Sequence, residues 1–147
     1  MTGLSIRSRA PTASSPIVRK VMVANYGGNT APERLLRSAL FAAGLRFRKD
    51  VRPVLSLRCT ADILFPKQRL CIFVDGCFWH GCPNHFKCPK TNATWWQEKI
   101  QANRVRDRRQ IALLKTAGWR VARVWEHEIT ANHICSVVNR IRHILHN

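Results

Sequence analysis

The chain has 147 residues, with 25 Lys+Arg against 8 Asp+Glu, a formal charge of +17 before histidine. That length fits one domain, and 46% apolar residues suffice for a single core. No apolar run reaches the roughly 18 residues of a membrane span, and the N-terminus lacks the apolar block of a secretory signal. Five Trp and six Phe argue against global disorder. A sequence pI near 11.2 points to a polyanionic partner, but charge names the partner and not the act.

Residues 1–29 are expected to form a flexible basic arm. They carry Arg7, Arg9, Arg19 and Lys20 without an acid, among Ser, Thr, Pro and the Gly27-Gly28 pair. Such an arm is either solvated or laid along a phosphate backbone. A single ordered domain is expected over 30–147, opening at Thr30-Ala31-Pro32-Glu33. This reads as a capping box ahead of Leu35, Leu36, Ala39 and Leu40 at helical spacing, and Gly44 stops that helix.

Four strand-like runs follow: Leu45 to Lys49, Val54 to Arg58, Ala61 to Phe65 and Leu70 to Val74. The last is nearly all apolar, as a central strand buried on both faces should be. A cysteine-rich loop spans Gly76 to Lys90, a long helix about Thr94 to Ala117, and a further strand Trp119 to Trp125. A final amphipathic helix uses Ile134, Val137, Val138, Ile141, Ile144 and Leu145. The order α-β-β-β-β-α-β-α predicts an α/β fold, a mixed central sheet flanked by helices.

With so few acids, an acid facing a polyanion is repelled unless a cation sits between them. Asp62 and Asp75 fall at the ends of adjacent predicted strands, where their carboxylates could converge on Mg²⁺. That ion assists phosphodiester hydrolysis by generating hydroxide and neutralising developing charge. Asp107 lies among Arg104, Arg106, Arg108 and Arg109 on the long helix, a segment suited to phosphate contact, or to plain ion pairing. His80 follows Phe78-Trp79 just after the strand that carries Asp75. It is either a base for an attacking water, a metal ligand or a packed loop residue. Phe78-Trp79 reads as a core pair or as a wedge between bases, and Trp95-Trp96 as one core anchor and one exposed stacker.

Cys59, Cys71 and Cys135 stand alone in apolar surroundings, whereas Cys77, Cys82 and Cys88 crowd around His80 and His85. Soft thiolates mixed with imidazoles at this spacing read as a metal site in a reducing compartment. Cys77, Cys82 and His85 supply three places of a tetrahedron, and the fourth falls to Cys88 or to His127. Four protein ligands leave no open position, so the zinc would be structural.

The strings Asp75-Gly76-Cys77-Phe78-Trp79-His80-Gly81-Cys82-Pro83, Pro89-Lys90-Thr91-Asn92, Trp95-Trp96-Gln97-Glu98-Lys99-Ile100, Asn103, Arg106-Asp107, Gly118 to Val121 and Val124-Trp125-Glu126-His127 resemble the very-short-patch repair endonucleases over about Met22 to Glu128. These bacterial enzymes nick DNA beside T·G mismatches left by deamination of 5-methylcytosine. The resemblance implies a restriction-endonuclease-like fold, two Mg²⁺ ions and one structural Zn²⁺. It further implies a cytoplasmic monomer acting on mismatched double-stranded DNA, with other mismatch-repair proteins as further partners and no membrane.

Position by position, Asp62 resembles the carboxylate that bridges the Mg²⁺ ions and Val74 the residue whose carbonyl meets a metal. His80 matches the histidine that activates water, and Asp107 the acid linked to the metals through water. Asp75 stands where some relatives have histidine in that outer role, and Glu33 matches a glutamate near the centre. Cys77, Cys82, His85 and His127 fall on the zinc positions, which leaves Cys88 spare. Met22, Phe78, Trp79 and Trp96 match residues that insert at the mismatch, and Arg104 and Arg108 are candidate DNA contacts. Where relatives approach the bridging aspartate through a Pro-Gly-Pro-like turn, this chain reads Leu57-Arg58-Cys59-Thr60-Ala61. Two other readings compete: a defence or restriction nuclease without mismatch specificity, and a zinc-stabilised DNA-binding protein without catalysis. A pure binder has no use for Asp62, Asp75, Asp107 and His80 together.

Overall fold

A computed structural model describes residues 12, 13, 15–17, 19, 20 and 28–147; Met22 and most of the expected arm lie outside them. The elements run α1 (Ala31–Ala42), β1 (Arg48–Val51), β2 (Ala61–Phe65), β3 (Leu70–Asp75), α2 (Ala93–Thr116), β4 (Arg120–Trp125), a 3₁₀ turn (Glu126–Glu128) and α3 (Ile134–His146). Among the described residues no helix is long and apolar enough to cross a membrane.

Thr30 caps α1 as expected, its Oγ1 accepting from Glu33 N–H. The Glu33 carboxylate reaches one residue further back than in a standard capping box, accepting from Asn29 N–H at 2.6 Å. The exit of α1 is set by Gly44 at φ +81°. Its N–H donates to the Phe41 carbonyl while Leu45 N–H donates to Leu40, the paired bonds that satisfy the last carbonyls of a helix. The end of α2 repeats this arrangement, Gly118 donating to Lys115 and Trp119 to Leu114.

The four strands form one sheet in the order β1-β2-β3-β4, the first two pairings antiparallel and β3–β4 parallel. The mixed sheet with flanking helices agrees with expectation, but one predicted strand is missing. Val54 to Arg58 is a turn closed by Leu57 N–H to the Val54 carbonyl. Pro53, which has no N–H for a ladder, stands directly before it. The apolar residues of this stretch serve packing: Val54 and Leu57 lie against a core cluster, while Leu55 is 86% exposed. The first strand also starts later than expected, at Arg48, because Leu45 and Phe47 are spent on the core beside α1.

Each face of the sheet has its own core. Ile63, Phe65, Leu70, Ile72 and Val124 meet Leu36 and Leu40 of α1 and Val137, Val138 and Ile141 of α3. On the other face Leu64 and Cys71, with Phe73 and Val121, meet Leu114 of α2. Each fully buried Leu or Ile contributes about 1.5–3 kcal/mol. The buried stripe of α2 reads Trp96, Ile100, Asn103, Asp107 and Leu114, apolar at both ends and polar in the middle. That polar middle is where the helix crosses the carboxyl ends of β3 and β4, and it supplies one wall of the site.

Candidate active site

Two constellations sit side by side at this end of the sheet. In the first, β2 carries Asp62, whose Oδ2 accepts from Val74 N–H at 2.7 Å. Pairing of Lys49 with Ile63 and of Val51 with Ala61 sets Asp50 across from Asp62. One ligand oxygen each of Asp62, Asp50 and Glu33 lies within 4.8 Å of the others. Burial pushes the Asp62 carboxyl up to about 6. The Val74 hydrogen bond opposes that shift, and the neighbouring Glu33, Asp50 and Asp75 add to it. A group of hard oxygen donors this close together fits a divalent cation such as Mg²⁺.

The expected convergence of Asp62 with Asp75 on one cation is corrected here. Asp75 is 4% exposed, and both of its oxygens are taken by Arg123, from Nε at 2.6 Å and from Nη2. Phe73 pairs with Arg123 and Asp75 with Trp125, so Arg123 reaches along the strand to the acid. The acids that do meet Asp62 are Glu33, as expected, and Asp50, which carried no role in the sequence reading.

In the second constellation the His80 ring stands in the cleft shared by Asp62, Asp75, Asp107 and Arg123. Its Nδ1 is 2.6 Å from Asp107 Oδ2, and its Nε2 is 3.9 Å from Asp75 Oδ1. A proton on Nδ1 donated to Asp107 leaves Nε2 as the acceptor. Burial works against ionisation of Asp107, but the His80 hydrogen bond outweighs it together with the charges of His80, Arg123 and Arg106. The carboxyl is thereby held below its ordinary range. Asp107 thus touches the imidazole directly. Arg123 Nη2 is 3.3 Å from Asp107 Oδ2, so one guanidinium ties β3, β4 and α2 together.

The loop bearing His80 is held down by α2. Asn103 Nδ2 donates to the Trp79 carbonyl at 3.0 Å, and Arg104 donates to the carbonyls of His80 and Gly81. A Cβ at Gly81 would lie 2.6 Å from Arg104 Nη2 and 2.8 Å from Ile100 Cγ2, so only glycine allows this approach. Arg104, a candidate DNA contact, therefore spends its donors on the loop, whereas Arg108 is exposed beside it. Phe78, Trp79 and Trp96 pack on one another with ring centroids 5.1–6.0 Å apart. Trp96 is 6% exposed, so it forms the floor under Phe78 and Trp79 and not a projecting wedge. Trp95, half-buried, leans on its edge.

The same loop gathers the soft ligands. Cys77, Cys82, His85 and His127 bring one donor atom each within 4.8 Å of one another. Cys77 Sγ is 3.2 Å from His127 Nδ1, and Cys82 Sγ is 3.6 Å from the Nδ1 of both His85 and His127. Two buried thiols and two imidazoles with no fifth group suit a tetrahedral ion. Between the two candidates for the fourth place the structure brings His127. Cys88 instead faces the carbonyls of Pro89 and Ala93. Glu126 accepts from Cys77 N–H at 2.7 Å and fastens the loop to the 3₁₀ turn that presents His127.

The family model described as DNA mismatch endonuclease Vsr matches residues 15–86. The type II nicking enzyme V.NaeI of Lentzea aerocolonigenes is 44% identical over 127 residues, 85% of this chain and 76% of that protein. The chain belongs to the Vsr family of DNA mismatch endonucleases. The Vsr mismatch endonuclease of Escherichia coli K12 is 43% identical over 99 residues, covering 67% of this chain and 62% of that one. The catalytic domain of the homing endonuclease I-Bth0305I, at 20% identity, superposes with a TM-score of 0.51 over 79% of this chain and 94% of its own. That likeness shows the fold alone. Membership in the Vsr family makes the chain an endonuclease and removes the non-catalytic DNA-binding reading. It leaves Arg123 and Asp50 as the site residues the sequence reading missed. Arg123 had a signal, a cation in mid-strand between Ala122 and Val124, where it needs an acid partner.

Proposed function

We propose that this Vsr-family endonuclease nicks one strand of duplex DNA beside a T·G mismatch, with Mg²⁺ in the acidic cleft and one structural zinc. The observation that carries the reading is His80 Nδ1 at 2.6 Å from Asp107 Oδ2 in a cleft that also holds Asp62.

Asp107 fixes the ring so that Nε2 takes the proton of a water attacking phosphorus, a role in which histidine is effective near neutral pH. Asp62, with Glu33 and Asp50 beside it and the Val74 backbone against it, would hold the divalent cation. When bound, that cation neutralises charge developing on the phosphoryl oxygens and lowers the pKa of bound water. Cys77, Cys82, His85 and His127 would hold zinc, locking the loop that carries His80 to the end of β4. The exposed Arg108 and the strongly basic chain supply sequence-independent attraction to phosphates.

Mismatch preference is assigned to Phe78 and Trp79, half-buried on the Trp96 floor. Wedging them into a base step costs on the order of a few kcal/mol, and less at a wobble pair that stacks poorly. A difference of about 1.4 kcal/mol is already tenfold. The test is the nicking rate at fixed salt on one sequence carrying T·G, T·A or C·G, with and without Mg²⁺. A cation-dependent nick in the T strand of the T·G duplex, at least about tenfold preferred, is expected. Replacing Phe78 and Trp79 with Ala should erode that preference more than it weakens binding. Equal rates on all three duplexes would favour the defence nuclease instead, and nicking without any divalent cation would remove Mg²⁺ from the scheme.

A further inference from the structure

We propose that Arg123 is a catalytic residue whose Nη1 donates to a non-bridging oxygen of the scissile phosphate. This assignment rests on the nuclease reading above and adds a substrate contact to it. The guanidinium is fixed before DNA arrives: Nε and Nη2 hold the two oxygens of Asp75, and Nη2 also reaches Asp107. Among the described residues Nη1 makes no hydrogen bond, although the side chain is 24% exposed and lines the cleft with Asp62 and His80. A planar fork with one edge committed to a carboxylate must aim its remaining nitrogen away from that carboxylate.

Charge leads to the same place. Asp62, Asp75 and Asp107 line this cleft together with Arg58, Arg106 and Arg123. Arg58 and Arg106 are exposed, so Arg123 is the cation seated within it. Asp75 matches the guanidinium's charge, so Arg123 acts not by long-range attraction but by a short, directed hydrogen bond. Such preorganised donors favour the transition state because they need no reorientation as charge builds on the phosphoryl oxygens.

The experiment measures single-turnover nicking by wild type, Arg123→Lys and Arg123→Met on three duplexes. The nicked position carries the natural phosphate, an Rp phosphorothioate or an Sp phosphorothioate, and sulfur is the weaker hydrogen-bond acceptor. Arg123→Met is expected to slow the natural substrate by about 10²-fold or more, with little change in DNA affinity measured without divalent cation. Its penalty should shrink on the diastereomer whose sulfur faces position 123 and persist on the other. Arg123→Lys should recover part of the rate, since an ammonium can reach the oxygen but cannot also serve Asp75 with a fork. An equal penalty on all three duplexes means that Arg123 acts only through Asp75 and Asp107, and it overturns the assignment while the nuclease reading stands. Should Arg123→Met fail to fold around the unpaired Asp75, the paired variant Asp75→Asn/Arg123→Met goes through the same three arms, read by the same criterion. Wild type that leaves every duplex intact overturns the nuclease reading and this assignment with it.

Discussion

The cysteine–histidine cluster and the carboxylate cleft share one loop, yet they are built on opposite plans. Cys77, Cys82, His85 and His127 close around a single point with four donors, and Glu126 ties the loop at its back. Among the described residues these four donors fill a tetrahedron, and an ion seated there would serve structure. In the cleft the acids are divided. Asp75 and Asp107 are matched by Arg123 and His80, while Asp62, Glu33 and Asp50 bring one carboxylate oxygen each within 4.8 Å of the others. In the proposed function a divalent cation would answer that group of like charges. The comparison teaches that in so basic a chain the acids gathered at this end of the sheet each have an identifiable partner or task.

The largest expected effect separates the two plans at once. Asp62→Asn should abolish nicking, and His80→Ala should lower it by about 10²–10⁴-fold. Zinc content, measured by elemental analysis, should be unchanged in both. DNA binding by Asp62→Asn should be retained or tighter, since one acid facing phosphate is gone. Wild-type nicking by Asp62→Asn would place the cation elsewhere.

His127→Ala works on the other plan. It removes the proposed ligand that would join the loop to the end of β4, and the binding of a structural zinc is itself folding energy. A loss of several kcal/mol is expected, roughly 10 °C in Tm, together with loss of bound zinc. Full thermal stability in a zinc-free His127→Ala protein would show that the loop is held by Glu126, Asn103 and Arg104 without metal.

A third effect, smaller again, belongs to Asp62 in the protein without divalent cation. Its carboxyl is raised from an ordinary 3.8 to about 6, so folding favours the protonated form. The stability this group contributes is fully present below about pH 4 and lost as pH rises through about 6. Asn cannot ionise, so Asp62→Asn should be the more stable protein at pH 7 by ~2–3 kcal/mol, with the gap closing by about pH 4. Asp107 runs the other way, its depressed pKa giving stability above its unfolded value that is lost on acidification. Because it is common to both proteins, the difference isolates Asp62. Urea unfolding at both pH values measures it, and an equal gap at both would mean that Asp62 is not held neutral by the fold.

What the sequence made legible follows from the range of the interactions. Thr30, Gly44 and Gly118 act within one helical turn, and α1, α2, β2, β3 and β4 lie within a residue or two of where those signals put them. Val54 to Arg58 read as strand-like, but Val54 and Leu57 answer to a core assembled from β2, β3 and α2 rather than to a ladder partner. The cleft was legible where a residue lies at a strand's end or in the loop just after it, as at Asp75 and His80. It was not where partners come from far along the chain. Arg123 is 48 residues from Asp75, and Asp50 meets Asp62 only through the β1–β2 register. Without the sheet order, a free Asp75 and one already paired look alike.

Cys88 is the smallest and sharpest case of that limit. By spacing alone it competed with His127 for the fourth ligand place, since it stands six residues beyond Cys82 in the same loop. The fold decides otherwise: its Sγ lies 3.7 Å from the Pro89 carbonyl and 3.6 Å from that of Ala93, outside the group that meets at Cys77 and Cys82. A serine hydroxyl can donate to the same carbonyls from the same backbone, so Cys88→Ser removes a thiol without removing a contact type. Zinc content should stay at wild-type level, nicking should be unchanged, and stability should move by no more than about 0.5 kcal/mol. The paired measurement is His127→Ala, in which all three readouts have reason to move. If instead Cys88→Ser loses the metal and His127→Ala retains it, the loop closes on itself within 77–88 and the link to the end of β4 is made by Glu126 alone.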